Sequence, residues 1–454
     1  MTKRCQIAAR VQDVPAGPRT GDIPETGDEG QAAMGERADA VPADAGIDTV
    51  ACGVGTGLAG LAAALALASR GVLTVLVGPH PDTGAMARDT RSTALFGPSL
   101  DFLRNVGVMQ RLDGGGEPLA GLRLIDATGG LLRAPEVLFE AQELGLAAFG
   151  ANIENQALLG ALAAAAAAHP AIRWRTQVAT GIESAESGVT VRLADGAVVR
   201  AAVVVGADGA QSACRAAAGI GARSWSYPQV ALATRFSHTR PHAGISTELH
   251  RRAGPLTTVP LAGLASSLVW VETPAEAARL MALGDDDFAR ELEDGLGSML
   301  GAVGDIGTRA SFPISGVTAE RLGARRIALV GEAAHRLPPI GAQGLNLGLR
   351  DAAWLADLVG SAVADGRDPG GADVLEGYER ARRSDILSRT AVVDALNRSL
   401  VADLLPVDVA RGAGLAALKA FGPLRRLFMR EGMAPAGELP SLMRPGCDSR
   451  EIAI

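Results

Sequence analysis

The chain has 454 residues, of which 48% are apolar, so it can fill the cores of two or three domains. Its net charge of -7 at pH 7 argues against a nucleic-acid-binding protein, which needs a basic surface. Aromatic residues make up only 3% of the chain, so any cavity is expected to have mostly aliphatic walls. The four cysteines have neither CxxC nor Cys/His spacing. The sequence therefore predicts no metal site and no disulfide framework, as in proteins of a reducing compartment.

The first 46 residues are rich in Gly, Pro, Asp, Glu and Ala and have no apolar period. Such a composition buries too little apolar surface to offset the entropy of ordering the chain, so residues 1–46 are predicted to be disordered. Met34 lies inside this segment and is an alternative start of the natural protein. No later apolar run reaches the roughly 20 residues that a membrane-spanning helix needs.

A dinucleotide-binding pattern follows this segment. It consists of a strand, three glycines spaced G-x-G-x-x-G, a helix and a second strand: 49–54, Gly55, Gly57, Gly60, 61–69 and 72–77. The glycines let the backbone approach a pyrophosphate closely. One position departs from the pattern. Gly78 and Pro79 replace the acidic residue that usually follows the second strand and binds the adenosine ribose.

A second glycine motif follows an apolar strand at 202–205. It runs from Gly206 to Arg215 and contains Asp208 and Gly209, a pair that taken alone is also compatible with an ordinary turn. Stretches on either side of it alternate apolar and polar residues or are short apolar runs between turn signals, as expected for antiparallel strands. These stretches are 122–126 with 131–133, 189–193 with 198–200, 230–236, 256–261 and 267–271.

The most informative stretch is 326–351, in which a strand, a tight loop and a helical pattern follow one another. The carboxylate of Glu332, at the strand end, can accept hydrogen bonds from a sugar hydroxyl. Gly341 and Gly344 let the backbone approach a flat ring, and the amides of Leu345 and Asn346 at the helix start face any negative charge there. A reduced flavin carries negative charge at N1 and O2, so this stretch has the features expected of a flavin-binding site.

These three motifs, in this order, resemble those of the class A flavin monooxygenases, and the last is most similar to that of the hydroxylases of ubiquinone biosynthesis. The resemblance implies an α/β fold with a discontinuous Rossmann-like FAD-binding domain, an inserted antiparallel-sheet substrate domain and a helical C-terminus. It also implies that Arg91, in Asp89-Thr90-Arg91, lies on the flavin side of the cofactor. The residues expected to hold FAD are Gly55, Gly57, Gly60, Arg91, Gln156, Asp208, Gly209, Gly331, Glu332, Pro338, Gly341, Gln343, Gly344, Leu345 and Asn346.

The expected domain layout alternates between the two domains. FAD-binding segments are predicted at 47–115, 150–220 and 321–400, and substrate-domain segments at 116–149 and 221–320. A C-terminal helical region and tail is predicted at 401–454.

The resemblance implies that NADH or NADPH reduces FAD, that oxygen adds at flavin C4a, and that the hydroperoxide hydroxylates the ring of a polyprenylated phenol in ubiquinone biosynthesis. NAD(P)H is expected to bind transiently, because no second dinucleotide fingerprint appears. No catalytic side chain is assigned. Tyr227 and Tyr378, the only tyrosines, lie outside the motifs, and His238, His242 and His250 are single histidines of the kind that is more often structural. The hydroxylated carbon, the choice of NADH or NADPH and the oligomeric state stay open.

Two other functions are compatible with these motifs, namely a soluble hydroxylase of small phenols and a non-catalytic FAD-binding scaffold of a quinone-synthesis complex. The segment 410–433 combines apolar with basic residues. This pattern indicates docking on an anionic membrane or on a partner protein, or else a helix packed on its own domain. The expected location is the cytoplasm, with or without peripheral contact on the inner face of the membrane.

Overall fold

The computed structural model describes residues 48–129, 134–402, 405–433 and 437–446. The predictions for residues 1–46, including Met34, lie outside the described residues, as does the strand expected at 131–133.

The described residues form strands and helices in alternation. The strands are β1 (Thr49–Val54), β2 (Thr74–Val77), β3 (Ser92–Phe96), β4 (Glu117–Pro118), β5 (Gly121–Asp126), β6 (Val137–Glu140), β7 (Gly150–Glu154), β8 (Ile172–Arg175), β9 (Ala179–Ser184), β10 (Val189–Leu193), β11 (Val198–Gly206), β12 (Ala222–His238), β13 (Ile245–Arg251), β14 (Gly254–Leu261), β15 (Ala265–Glu272), β16 (Val303–Gly304), β17 (Ala310–Ala319), β18 (Gly323–Ala324), β19 (Ile327–Leu329) and β20 (His335–Arg336). The α-helices are α1 (Leu58–Ala68), α2 (Thr83–Arg88), α3 (Gly97–Asn105), α4 (Asn155–Ala168), α5 (Ala213–Ala217), α6 (Pro274–Ala282), α7 (Asp285–Gly295), α8 (Gln343–Ala364), α9 (Ala372–Val401), α10 (Leu405–Ala420) and α11 (Gly422–Met433).

The first sheet has the Rossmann-like form predicted from the sequence. Its path is β18-β19-β11-β1-β2-β8, and β1 pairs in parallel with both β11 and β2. Strands β1 and β2 are wholly buried because α1, α4 and α8 pack around them, which explains their continuous apolar sequences. Helix α1 begins at Leu58, three residues before the predicted start, because the last glycine of the motif lies inside its first turn.

The second sheet is mostly antiparallel, in the order β20-β17-β12-β15-β14-β13-β5-β6. The predicted strands 230–236, 256–261 and 267–271 lie within β12, β14 and β15. The described antiparallel partner of β5 is β6. Val137 and Phe139 in β6 supply buried apolar side chains that pair on one face of the sheet.

The two faces of this sheet have different neighbours. On one face Leu256, Leu268 and Trp270 pack against α6 and α7. The other face is covered at the β5–β6 end by α10 and α11, through Leu415 and Met429. A third sheet, β3-β7-β4, joins the two larger ones. No helix of the described residues is long and apolar enough to cross a membrane.

Candidate functional site

The glycines of the first motif lie at the carboxyl end of β1, where backbone segments meet closely. Gly55 has φ +113°, and a Cβ added to it would lie 2.3 Å from the carbonyl oxygen of Ala207. A Cβ at Gly60 would lie 2.0 Å from the oxygen of Gly55. Gly57 differs, because a Cβ there would meet nothing within 4 Å. Gly55 and Gly60 are therefore required by packing, and Gly57 borders open space at the start of α1.

The Asp208-Gly209 turn lies beside this glycine loop. The Asp208 carboxylate accepts hydrogen bonds from the Ser212 hydroxyl, at 2.5 Å, and from the Cys214 amide, at 3.0 Å, so it orders the start of α5. Gly209 has φ +82° and open space where a side chain would be. The Arg215 side chain donates to the carbonyl of Ala333 at 2.9 Å. This hydrogen bond joins the second motif, residues 206–215, to the third motif, within residues 326–351.

The third motif, within residues 326–351, turns sharply at two places. Gly331 has φ +59°, and a Cβ there would lie 2.8 Å from the Cβ of Ala59 in α1. Pro338 begins the second turn, where its carbonyl accepts from the Ile340 amide at 2.8 Å. Gly341, at φ +64°, and Ala342, at φ +54°, both adopt left-handed backbone conformations. A left-handed alanine costs about 1–2 kcal/mol, so packing holds this loop in its shape.

Helix α8 begins at this loop without a side-chain cap and without an acidic residue in its first turn. The first N–H groups of a helix have no partner within it, and they carry the positive end of the helix dipole. The backbone amides of Gln343, Gly344 and Leu345 are therefore available to an anion or a polarised carbonyl. A Cβ at Gly344 would meet nothing within 4 Å, so the approach is open. Helix α1 also lacks a side-chain cap.

The side chains of Asn346 and Gln343, two residues expected at the cofactor, form hydrogen bonds within the protein. The Asn346 amide group donates to the carbonyls of Ala94 and Ala342, and its oxygen accepts from the Phe96 amide and the Ser99 hydroxyl, at 2.7–3.1 Å. The Gln343 oxygen accepts from Arg389 at 2.7 Å, and its nitrogen donates to Gly341 at 2.8 Å. Both side chains shape the loop, which leaves the backbone to contact a ligand.

Arg91 lies close to two other residues expected at the cofactor, Glu332 and Gln156. Arg91 makes two hydrogen bonds of 2.7 Å to Asp89, and its guanidinium lies 4.9 Å from the centre of the Phe312 ring. The Asp89 hydrogen bond raises the pKa of Arg91 against the opposing effect of burial, and the nearby charge of Glu332 raises it further. The Glu332 side chain is 60% exposed and lies 3.9 Å from Arg336. Gln156 is exposed in the first turn of α4, next to an amide that donates to the Arg91 carbonyl.

The missing acid at Gly78 has a structural reason. Gly78 has φ +144°, and a Cβ there would lie 2.9 Å from Cγ2 of Thr56. The Thr56 hydroxyl donates to the carbonyl of Pro79 at 2.7 Å, and the Trp174 indole donates to the carbonyl of Gly78 at 2.9 Å. A side chain at position 78 would therefore be strained as well as crowded.

A buried network of charges supports the third motif, and the sequence analysis did not find it. Asp351 accepts from His335 at 2.6 Å, from the Gly331 amide at 3.1 Å and from Arg382 at 2.7 Å. Burial alone would raise the pKa of the Asp351 carboxyl, but the charges and hydrogen bonds of His335 and Arg382 outweigh it and hold the pKa below its usual value. Asp385 extends the network.

Asp385 accepts from Arg382 at 2.6 Å, from Arg350 at 2.5 Å and from Arg389 at 2.7 Å. Its pKa is also lowered, because these three cations outweigh the effect of burial. The signal available in the sequence was the spacing of Arg382, Asp385 and Arg389, which places three charged side chains on one face of a helix.

The tyrosines and most of the histidines of interest have structural partners. The Tyr378 hydroxyl donates to the Leu329 carbonyl at 2.8 Å, and the Tyr227 hydroxyl bonds to Asp394. Burial and the bond to Asp394 raise the pKa of Tyr227 to about 12. His238 and His242 use both ring nitrogens in local hydrogen bonds.

His250 is the exception. Its Nε2 lies 2.7 Å from the buried Glu248 carboxylate, while its Nδ1 is buried without a hydrogen-bond partner. None of these side chains is thereby identified as a catalytic acid or base.

The geometry fits a flavin dinucleotide. Two uncapped helix starts and three glycines with open space, Gly57, Gly209 and Gly344, belong to three motifs that contact one another at the carboxyl edge of the parallel sheet. Arg91 and Glu332 provide opposite charges close to one another. Direct contact of the individual residues with FAD stays a prediction.

Comparison with known proteins agrees with this geometry. The model of the family described as FAD binding domain matches residues 48–391. p-Nitrophenol 4-monooxygenase PnpA from Pseudomonas putida has the same fold, with a TM-score of 0.68 and 20% identity over 85% of this chain and 98% of that one.

Two curated relatives align over most of their length. Ubiquinone hydroxylase UbiL of Rhodospirillum rubrum is 39% identical over 403 residues, which cover 86% of this chain and 91% of that protein. The 3-demethoxyubiquinol 3-hydroxylase of Escherichia coli is 30% identical, over 83% of this chain and 96% of that protein. The chain therefore belongs to the FAD-binding monooxygenase family and, within it, to the group of the ubiquinone hydroxylases.

Proposed function

We propose that the protein is an FAD-dependent monooxygenase that hydroxylates the aromatic ring of a polyprenylated phenol in ubiquinone biosynthesis, with NAD(P)H and O2 as co-substrates. The observation that carries the proposal is the mutual contact of three motifs at the carboxyl edge of the parallel sheet, in a chain 39% identical to a ubiquinone hydroxylase. The names of the relatives support the reaction class and the pathway.

Bound FAD would accept the hydride of NAD(P)H and activate O2, which is chemistry that no amino-acid side chain supplies. The protein contributes binding and orientation. Gly57 and the start of α1 leave room and positive potential for the pyrophosphate. The amides of Gly344 and Leu345 would stabilise negative charge on the ring, and the Glu332 carboxylate would bind a ribityl hydroxyl.

The protein must also keep water away from the activated oxygen. The loop from Pro338 to Gly344 is suited to this role because Arg389 and Asn346 hold it rigidly. On the sheet face opposite α6 and α7, Ala231, Val271 and Ile314 form a buried apolar cluster, so this part of the face is core.

We also propose that the enzyme works as a peripheral protein at the membrane that holds its substrate. A polyprenyl tail partitions into lipid, so an enzyme of such a substrate meets it at a bilayer surface. The mixed apolar and basic surface of α10 and α11 supports this location. A quinone-synthesis protein complex is the competing explanation of that surface.

Quinone profiling of cells that lack the gene tests the function. Mass spectrometry of extracted lipids is expected to find a prenylated ring that lacks one or more hydroxyl-derived oxygens, and the missing oxygen identifies the ring position. Expression of the wild-type gene should restore the profile. An unchanged quinone pool in a strain without a redundant hydroxylase would refute the proposal.

The Glu332→Ala variant separates an enzyme from a scaffold. If the chain is an enzyme, Glu332→Ala loses FAD and fails to restore the quinone, while Glu376→Ala restores it. Glu376 is a matched control because it is 61% exposed and has its arginine at i+4 at 3.9 Å, as Glu332 does. Restoration by an FAD-free Glu332→Ala protein would favour the non-catalytic role. Turnover of water-soluble phenols without detergent would favour the small-phenol hydroxylase.

A further inference from the structure

The helices α10 and α11 expose an unusual concentration of large apolar side chains. Of the twelve such residues that are exposed in the described part of the chain, eight lie between Leu387 and Phe428. Five of them form what we call the α10–α11 surface: Val409, Phe421, Leu424, Leu427 and Phe428. Contiguous exposed apolar side chains of this kind mark interaction sites.

The geometry of α11 separates an inner from an outer face. Met429 is buried against Phe139 and its neighbours in the second sheet, and Arg425 binds Glu143 at 2.6 Å. Leu424 and Leu427 are three residues apart, so they share a side of the helix that faces away from Met429. Phe428 lies at the edge between the two faces, because its ring stacks on that of Phe139 with 5.6 Å between the ring centres. The helix is therefore already anchored to its own domain by one face, and the exposed face is additional.

The charge of this segment is opposite to that of the chain. Residues 405–433 contain five basic and two acidic residues, whereas the whole chain has a net charge of -7. Lys419 and Arg430 are exposed beside the apolar side chains, and Arg426 is half-buried next to them. Apolar residues flanked by basic ones are complementary to a lipid surface with anionic head groups.

The C-terminal end of α11 is joined to the loop from Pro338 to Gly344, which we call the flavin loop. Arg389 donates to the carbonyls of Glu431 and Gly432, at 2.8 and 3.2 Å, and to the side chain of Gln343 at 2.7 Å. A bilayer on the outer face of α11 would therefore lie next to the loop that borders the candidate flavin site.

We infer that the α10–α11 surface docks on an anionic lipid bilayer and holds the flavin loop close to the membrane. This inference deepens the proposed function and rests on it for the identity of the substrate, but lipid binding itself needs no turnover. Phe421, Leu424 and Leu427 enter the lipid interface, and Lys419, Arg426 and Arg430 contact the head groups.

Vesicle sedimentation of the FAD-loaded protein tests the inference. The protein is expected to bind vesicles of phosphatidylcholine with phosphatidylglycerol, to bind phosphatidylcholine alone weakly, and to dissociate as salt is raised. Leu427→Glu should lower the partition coefficient about tenfold or more, through lost apolar burial and added repulsion. Arg430→Gln should lower it about fivefold.

Leu264→Glu is the matched control. Leu264 is 48% exposed against 55% for Leu427, and it lies in the turn between β14 and β15, away from α11. This variant should bind vesicles as the wild type does. All three variants should retain FAD and melt at the wild-type temperature, because the substituted side chains are on the surface.

Three results would overturn the inference. One is the absence of binding to anionic vesicles at low salt, and another is wild-type binding by Leu427→Glu. The third is a wild-type dimer in light scattering that Leu427→Glu converts to a monomer, since the surface would then join two copies of the chain. Lipid binding with a normal quinone profile in the deletion strain would instead refute the proposed function and leave the docking surface standing.

Discussion

At Gly57 the missing side chain leaves the room that a cofactor pyrophosphate needs. The residue is the N-cap of α1 with φ -75°, a conformation open to any residue, and a Cβ there would meet no protein atom within 4 Å. Folding therefore does not require glycine at this position, and we expect that binding of the pyrophosphate does. We expect Gly57→Val to fold but to purify with little FAD, as measured by the flavin absorbance per protein.

Gly284→Val provides the comparison for that substitution. Gly284 is the N-cap of α7, with φ -64° and the same open surroundings, and it belongs to none of the three motifs. Both variants replace a glycine cap at a cost of a few tenths to about 1 kcal/mol. Wild-type FAD content in Gly57→Val would show that the pyrophosphate lies elsewhere.

Glu332 is expected to contribute affinity through one charged hydrogen bond. Such bonds contribute about 1.5–3 kcal/mol, so Glu332→Ala should weaken FAD binding by roughly tenfold to a hundredfold. Fluorescence titration of the apoprotein with FAD measures the change. Glu332→Gln keeps an acceptor and should recover part of the affinity. An unchanged Kd in Glu332→Ala would remove the carboxylate from the binding site.

Gly78 presents the opposite case, in which the family's usual acid cannot simply be restored. Gly78→Glu places a side chain at φ +144° and against Thr56. We expect this variant to be destabilised by about 1–3 kcal/mol and to gain no FAD affinity. Combination with Thr56→Ala should recover part of the stability by removing the contact, as urea denaturation of both variants would show. Additive effects of the two substitutions would contradict the contact.

The limits of sequence reasoning are visible at individual residues. The need for glycine at Gly55 and Gly60 could be predicted, because two backbone segments that approach this closely leave no room for a side chain. Gln343 and Asn346 are expected to contact the cofactor, and the sequence could not show that their side chains also bind residues 46 and about 250 positions away in the chain. Local spacing contains no information about such partners.

At the level of elements, α9 connects the flavin loop with α11. Arg389 on α9 binds Asp385, Gln343 and the last carbonyls of α11 simultaneously. A cation at a helix C-terminus also stabilises the helix dipole. Arg389→Ala should therefore loosen both elements together, with faster hydrogen exchange in residues 338–345 and 424–433 and a weaker FAD affinity. Arg389→Lys should restore only part of this, since it lacks the planar fork.

Arg398→Ala is the control on the same helix. Arg398 also pairs with an aspartate at i-4, Asp394, but its side chain is 58% exposed whereas that of Arg389 is 10% exposed. Its removal should leave hydrogen exchange in both segments unchanged. If Arg389→Ala altered only one of the two segments, the two elements would be independent.

Strands and helices with a regular apolar pattern could be predicted from the sequence. Which strand pairs with which could not. Strands β12, β14 and β15 follow from alternation, and α1 from the βαβ pattern. The partner of β5 depended on tertiary packing, because Val137 and Phe139 are stabilised by contacts with α10 and α11, which lie about 280 residues later. The break between α10 and α11 at Phe421 has a local cause, because Pro423 has no N–H with which to continue the hydrogen bonds of α10.

For the molecule as a whole, the buried network of Asp351, Asp385 and their arginines predicts a pH dependence of stability. Both carboxyls have a pKa below the usual value in the folded state. In the unfolded chain an aspartate titrates near pH 4, so as the pH falls below about 4 the unfolded state takes up protons first. The stability that these groups contribute is therefore complete above that pH and is lost below it.

Asp351→Asn tests this dependence. Because Arg382 and His335 would lose a buried partner, the variant should be less stable at pH 7 by about 3 kcal/mol. Its unfolding free energy should also depend less on pH below about pH 4, by up to roughly 1.4 kcal/mol per pH unit, since one depressed carboxyl no longer titrates. Urea denaturation with saturating FAD at several pH values measures both effects. The exposed Asp286→Asn should match the wild type in both. Equal pH slopes in Asp351→Asn and the wild type would show that the acid sensitivity arises elsewhere in the fold.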